Sequence, residues 1–264
     1  MYEIIDSHAH IYPDKIARKA AVVIGQFYDI SMDCDGSVEG LIKTGKRAGI
    51  GRFLVHSVAT VPHQVGSINR FILEQTARHP EFIGFMTLHP DLSREEIEEE
   101  VDFCVKNGFR GIKLHPDFQK FAINSPEARK IYDAVDSRLP ILFHTGDVRY
   151  NYSHPSFLAE IAKEYPKQRF IGAHFGGYSC WKEAECVYKG LDNVFFDTSS
   201  SLMFLSTEEG TRLIRNMGSE KFFFGTDYPM WLPEEEITRF LKLELTEREK
   251  ENILAGNLTA FLGL

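Results

Sequence analysis

The sequence predicts an α/β fold, a (β/α)8 TIM barrel, as a single domain over residues 1–264 with a short insertion after strand 1. Three observations carry this expectation. Short apolar runs alternate with helical stretches eight times, and no Gly/Ser-rich linker interrupts them. The apolar runs are nearly continuous rather than alternating, as a parallel sheet covered on both faces requires. Their C-terminal ends, where a barrel gathers its active site, carry histidine, lysine or aspartate instead of more Val, Ile and Leu. An open doubly wound sheet is the competing architecture, but no Gly-rich phosphate loop follows the first strand.

Ile4-Ile5-Asp6-Ser7-His8-Ala9-His10 reads as the first strand. The insertion runs from Ile11 to Asp35, with Lys15–Gly25 helical in pattern and placed to cover a site. Helix Val38–Ala48 leads to strand Phe53–Ser57, and helix Ile68–Arg78 to strand Phe82–His89. Ser93 and Glu96 form a capping box that opens helix Ser93–Asn107. Ile97, Val101, Cys104 and Val105 supply its apolar stripe, so its glutamates are a solvated face. Strand Phe109–His115, helix Pro126–Ser137, strand Pro140–Thr145, helix Pro155–Tyr165 and strand Arg169–His174 follow. A helix over Trp181–Tyr188, strand Val194–Thr198, helix Glu208–Met217 and strand Lys221–Asp227 complete the eight units. Helices over Glu234–Lys242 and Glu247–Leu262 close the chain.

A formal charge of −8 over 264 residues gives neither nucleic acid nor an anionic membrane any attraction. No charged segment precedes an apolar leader and no apolar run approaches ~20 residues, so the expected location is cytoplasmic. Cys34, Cys104, Cys180 and Cys186 show no C-x-x-C pairing and read as reduced thiols, Cys104 as a packing residue. The expected partner is a small-molecule substrate, and nothing in the sequence opposes a homo-oligomer.

On a strand the side-chain period is two, so His8 and His10 leave the backbone on one side. Two imidazoles so placed are ready-made ligands for a borderline metal such as zinc. A surface strand can carry two histidines without purpose; the other strand ends argue otherwise. They bear His56, His89, Lys113 with His115, His144, His174, Asp197 and Asp227. Taken singly, His56 and His89 read as packing or supporting histidines, and Asp6 as structural. His63, His79 and His154 fall in loops and receive no role.

Asp-Ser-His-Ala-His on strand one, Phe-His-Thr-Gly on strand five, Ala-His-Phe-Gly-Gly on strand six and Gly-Thr-Asp-Tyr-Pro on strand eight resemble the amidohydrolase superfamily. The likeness spans essentially the whole chain and is greater to its amidohydrolase 2 branch, which includes aminocarboxymuconate-semialdehyde decarboxylase. It implies His8, His10, His144 and Asp227 as ligands of a divalent metal, zinc being expected and manganese, iron or cobalt compatible with the same donors. It also implies Asp227 as proton acceptor for a metal-activated water and His174 as a catalytic group beside that water. Lys113 shares parity with His115 and points into the barrel; its strand is similar to the one in urease and dihydroorotase whose lysine is carbamylated and bridges two metals. Carbamylation of Lys113 would make His174 a ligand of a second metal, whereas the branch's usual pattern implies one. In either case His115 faces the substrate.

The leading functional expectation is metal-dependent hydrolysis of an amide, lactone or ester of a small carboxylated molecule. The alternative is non-oxidative decarboxylation of an aromatic or muconate-like acid, for which Arg149, beside Tyr150 and Tyr152, is the candidate substrate-binding cation. A non-catalytic barrel serving as a binding module would require a broken ligand set, and this one is intact.

Overall fold

The computed structural model describes residues 2–264. Its strands are β1 (Ile5–His10), β2 (Arg52–His56), β3 (Phe82–Thr87), β4 (Gly111–Leu114), β5 (Ile141–Phe143), β6 (Phe170–Gly172), β7 (Val194–Asp197) and β8 (Phe222–Phe223). They form one eight-stranded sheet in chain order, the (β/α)8 arrangement, and the β1–β2 pair and the successive pairs from β3 to β7 are parallel. The described residues cluster into two compact units, 2–56 with 198–264, and 57–197.

The first unit holds β1, β2 and β8 with helices α1 (Asp14–Tyr28) and α2 (Val38–Ala48). α1 is the helix expected over Lys15–Gly25, one residue longer at its start and three at its end. Every residue of β1 is buried, and Asp6 ties it to the end of β8. The Asp6 carboxylate accepts from the backbone of His8 at 3.0 Å, from that of Thr226 at 2.9 Å and from the Thr226 hydroxyl at 2.6 Å. Its role is therefore structural. The expected strand Lys221–Asp227 is shorter: beyond Phe224 side chains enter the pairing, although Asp227 N still donates to His8 O at 2.8 Å. Thr198 Oγ1 accepts from Gly225 N at 3.2 Å, Asp6 from Thr226, and Asp227 turns into the left-handed region at φ 59. Gly225 lets this segment approach β1, since a Cβ there would stand 3.1 Å from that of His8.

The expected final helix Glu247–Leu262 is interrupted: a π segment, Asn252–Gly256, separates two α-helical stretches, Glu247–Glu251 and Asn257–Leu262. Phe224 N donates to Ile253 O at 2.9 Å, drawing that carbonyl out of the helical ladder.

The second unit holds β3 to β7. Helix Arg94–Lys106 opens on the Ser93/Glu96 capping box and buries Ile97, Val101 and Cys104, whereas Val105 is 40% exposed and leaves the stripe one residue narrower than expected. Phe85 lies over Gly111, where a Cβ would meet its ring at 2.3 Å. Strands β5 and β6 stop earlier than expected. His144 and Thr145 belong to a loop, and His174 leaves β6 at φ 60, so its side chain is aimed by a turn. A short helix not expected from the sequence, Pro116–Gln119, follows β4, with Pro116 in its first turn and His115 Nδ1 accepting from Phe118 N at 3.4 Å. Gln119 anchors it, donating to Ala59 O at 2.9 Å and Leu88 O at 2.7 Å while accepting from His115 N at 2.9 Å. All four cysteines are free thiols, and no described helix is long and apolar enough to cross a membrane.

Candidate functional site

In the first unit, three predicted ligands converge. His8 Nε2 and His10 Nε2 lie 3.3 Å apart, and Asp227 Oδ1 stands 3.4 Å from the first and 3.5 Å from the second. A tetrahedral ion held by bonds of ~2.0–2.1 Å separates its donors by about 3.4 Å. The donor set therefore fits a divalent transition metal in both chemistry and spacing.

The supports of these donors follow from the local fold. Ser199 Oγ lies 3.2 Å from His8 Nδ1, engaging the outer nitrogen while Nε2 faces inward. Ser200 Oγ donates to Asp227 Oδ2 at 2.5 Å and accepts from Trp231 Nε1 at 2.9 Å. Ser200 and Asp227 both hold the left-handed backbone, at φ 48 and 59, a conformation that non-glycine residues keep where surrounding contacts enforce it. His56 is the register partner of His10, fully buried, with its ring edge-on to that of His10 at 4.4 Å and 4.9 Å from that of His8. Burial pushes the Tyr12 phenol above its ordinary range, and the charge of Asp227 adds to the shift.

In the second unit, Lys113 is fully buried on β4, and His115, His144 and His174 come together beyond the strand ends. His144 Nδ1 lies 3.0 Å from His174 Nε2. His115 stacks on His144 with ring centres 4.1 Å apart and planes 5° from parallel, and Phe118 stacks on His115 at 3.7 Å. The His115 ring is thus engaged as a helix cap and a stacking partner. The Asp197 carboxylate accepts from His174 N at 3.0 Å, fixing the turn that aims this imidazole. Arg149 donates to Asp147 through Nε at 2.9 Å and through its terminal amine at 2.7 Å, with the guanidinium over Tyr150. His89 is held below its ordinary pKa by burial, which Asp91 partly offsets.

Asp117 escapes the sequence reading. Burial pushes its carboxyl up to about 7, with Asp147 adding to the rise and Ser153 and Arg149 opposing it. Strand parity pointed to Lys113 and His115 but could not reach Asp117, which sits on the unexpected helix. Pro116, a favoured first helical residue, was the available signal. Ser199 and Ser200 were missed for a similar reason: they follow β7 in turns with no periodic pattern.

The amidohydrolase family model Amidohydro_2 matches residues 5–264. Among solved structures, the chain is similar to an uncharacterized TIM-barrel protein from Bordetella bronchiseptica, with 17% identity, TM-score 0.83 and coverage of 99% of this chain and 98% of that one. It is also similar to a dihydroxybenzoic acid decarboxylase from Polaromonas sp., solved with bound manganese and 2-nitroresorcinol, with 16% identity, TM-score 0.75 and coverage of 100% and 98%. A probable 2-pyrone-4,6-dicarboxylic acid hydrolase from Acinetobacter baumannii shares 17% identity at TM-score 0.70, with coverage of 99% and 100%. At these identities the likeness is one of fold.

Proposed function

Because the chain belongs to the amidohydrolase family, we propose that it is a metal-dependent hydrolase of an ester, lactone or amide of a small carboxylated molecule. The convergence of His8 Nε2, His10 Nε2 and Asp227 Oδ1 within 3.3–3.5 Å is the observation that supports this reading most directly. These three residues would hold one divalent ion, with His144 added as fourth donor on the family pattern. When bound, such an ion lowers the pKa of water to about 7 and polarises an acyl oxygen.

The remaining roles belong to the chain. Asp227 Oδ1 accepts a proton from the attacking water while Ser200 keeps Oδ2 in place. His174, aimed by Asp197, carries at Nε2 the proton that orients the nucleophile or steadies the developing oxyanion. Lys113 and His115 face the substrate in this reading, with His115 held in plane by Phe118 and His144.

Decarboxylation of an aromatic acid is the second reading, since one of the structures of similar fold is a manganese-containing decarboxylase. That reaction needs a cation to grip the departing carboxylate. The two-point bond from Arg149 to Asp147 engages the candidate for that task and favours hydrolysis.

The deciding experiment reconstitutes the protein with Zn2+ or Mn2+ and offers lactones, amides and aromatic acids, following acid release and carbon dioxide together. Acid release alone supports the hydrolase. Carbon dioxide from an aromatic acid, with Arg149→Ala raising KM and lowering kcat together, would replace it with the decarboxylase.

A further inference from the structure

Trp231 lies four residues beyond Asp227 in the sequence and returns to it through space. Met230 N donates to Asp227 O at 2.9 Å, closing a turn that reverses the chain, and Trp231 Nε1 donates to Ser200 Oγ at 2.9 Å. Ser200 Oγ in turn donates to Asp227 Oδ2. We propose that Trp231 is a positioning residue. Acting through Ser200, its indole N–H holds the Asp227 carboxylate with Oδ1 beside His8 and His10, the oxygen offered to a bound divalent ion.

The polarity of this relay carries the inference. An indole N–H only donates, whereas a serine hydroxyl has one proton, acceptor lone pairs and a free rotor. With Trp231 donating to it, Ser200 accepts on that side, and its single proton goes to the carboxylate. Without the indole the rotor has no such constraint. Engagement of Oδ2 leaves Oδ1 facing the imidazoles, 3.4 Å from His8 Nε2 and 3.5 Å from His10 Nε2. Ser200 is 2% exposed and Asp227 5%, so bulk water is poorly placed to replace a lost bond.

The backbone on either side of the indole is held by the segment that follows α1. Asp33 N donates to Met230 O at 3.2 Å and Cys34 N to Pro229 O at 3.1 Å, while the Asp33 carboxylate accepts from Leu232 N at 3.3 Å. These bonds bracket Trp231, so part of the insertion after β1 serves to aim the indole. The inference deepens the metal reading given above and rests on it for the ion.

The test has a metal-free and a metal-bound arm, both on the full chain. In the first, a proton–nitrogen correlation spectrum of protein labelled with 15N-tryptophan shows two indole signals, from Trp181 and Trp231. The loss of one in Trp181→Phe tells them apart, so this arm does not depend on any Trp231 variant folding. Ser200→Ala and Asp227→Asn should each move the Trp231 signal; a signal that ignores both overturns the proposal. In the second arm, Co2+ binding is followed by its visible absorption. Trp231→Phe and Ser200→Ala should each weaken it about tenfold or more and alter the spectrum. The double variant should bind no more weakly than Ser200→Ala alone, because the two residues act in series. Losses that multiply in the double variant would show that Trp231 acts by packing and overturn the proposal, as would unchanged Co2+ affinity in Trp231→Phe. A chain that binds no Co2+ at all would refute the metal reading while leaving the metal-free result standing.

Discussion

His144 Nδ1 faces His174 Nε2 at 3.0 Å, with both rings almost wholly buried. Two nitrogens so close make a hydrogen bond only if one donates and the other accepts. The role proposed for His174 requires its Nε2 to be the donor of this pair and His144 Nδ1 the acceptor.

His174→Asn should leave the fold intact and lower kcat about a hundredfold or more, as loss of a general acid–base or oxyanion group does. Near-ultraviolet circular dichroism reports the fold and steady-state kinetics the loss. Near-normal turnover would return His174 to a packing role.

The purified protein should carry a divalent transition metal, and His8→Ala/His10→Ala should abolish most of it. Elemental analysis of variant and parent, prepared identically, is the measurement. Equal metal content in the two would refute the assignment made from the 3.3 Å approach of their Nε2 atoms.

Much of this was legible in the sequence, and the rest was hidden for identifiable reasons. Apolar runs mark β2 to β7 because burial on both faces leaves a pattern that depends on composition alone. The His8/His10 pair was readable because period two places side chains without any knowledge of neighbours. Once the chain leaves a strand, that rule lapses. Asp227 and His174 are aimed by left-handed backbone, at φ 59 and 60, and Ser200 reaches Asp227 across 27 positions of sequence. Such contacts depend on tertiary closure. The π segment at Asn252–Gly256 is a further case, since its cause is the distant amide of Phe224.

Glu236 offers a test of stability against pH. It is 1% exposed, and burial pushes its carboxyl up to about 7, with the charges of Asp227 and Asp6 adding and Arg239 opposing. A carboxyl whose pKa is raised by folding favours the native state while protonated. That contribution is fully present below the ordinary value of 4.5 and is lost as pH rises through about 7. Glu236→Gln keeps an oxygen for Arg239 without the charge. Urea midpoints of metal-free protein should match at pH 4, while at pH 8 the variant should be more stable by about 1–3 kcal/mol. Equal midpoints at both pH values would show that the buried charge carries no such penalty.

Lys113 separates one metal from two. It is fully buried on β4, in register with Leu142 of β5 and Thr87 of β3. A carbamate forms only on a neutral amine and persists only when cations hold its new charge. A two-metal centre would therefore lose about half its metal and nearly all activity in Lys113→Ala, with partial rescue by small carboxylates. A one-metal centre, built on His8, His10 and Asp227, would keep its full metal content in that variant and lose activity through substrate binding alone. The second outcome is expected, because the donor spacing of 3.3–3.5 Å already fits one ion without Lys113. A stoichiometry near two per chain, with the mass of one added carboxyl group on the peptide containing Lys113, would establish the two-metal centre instead.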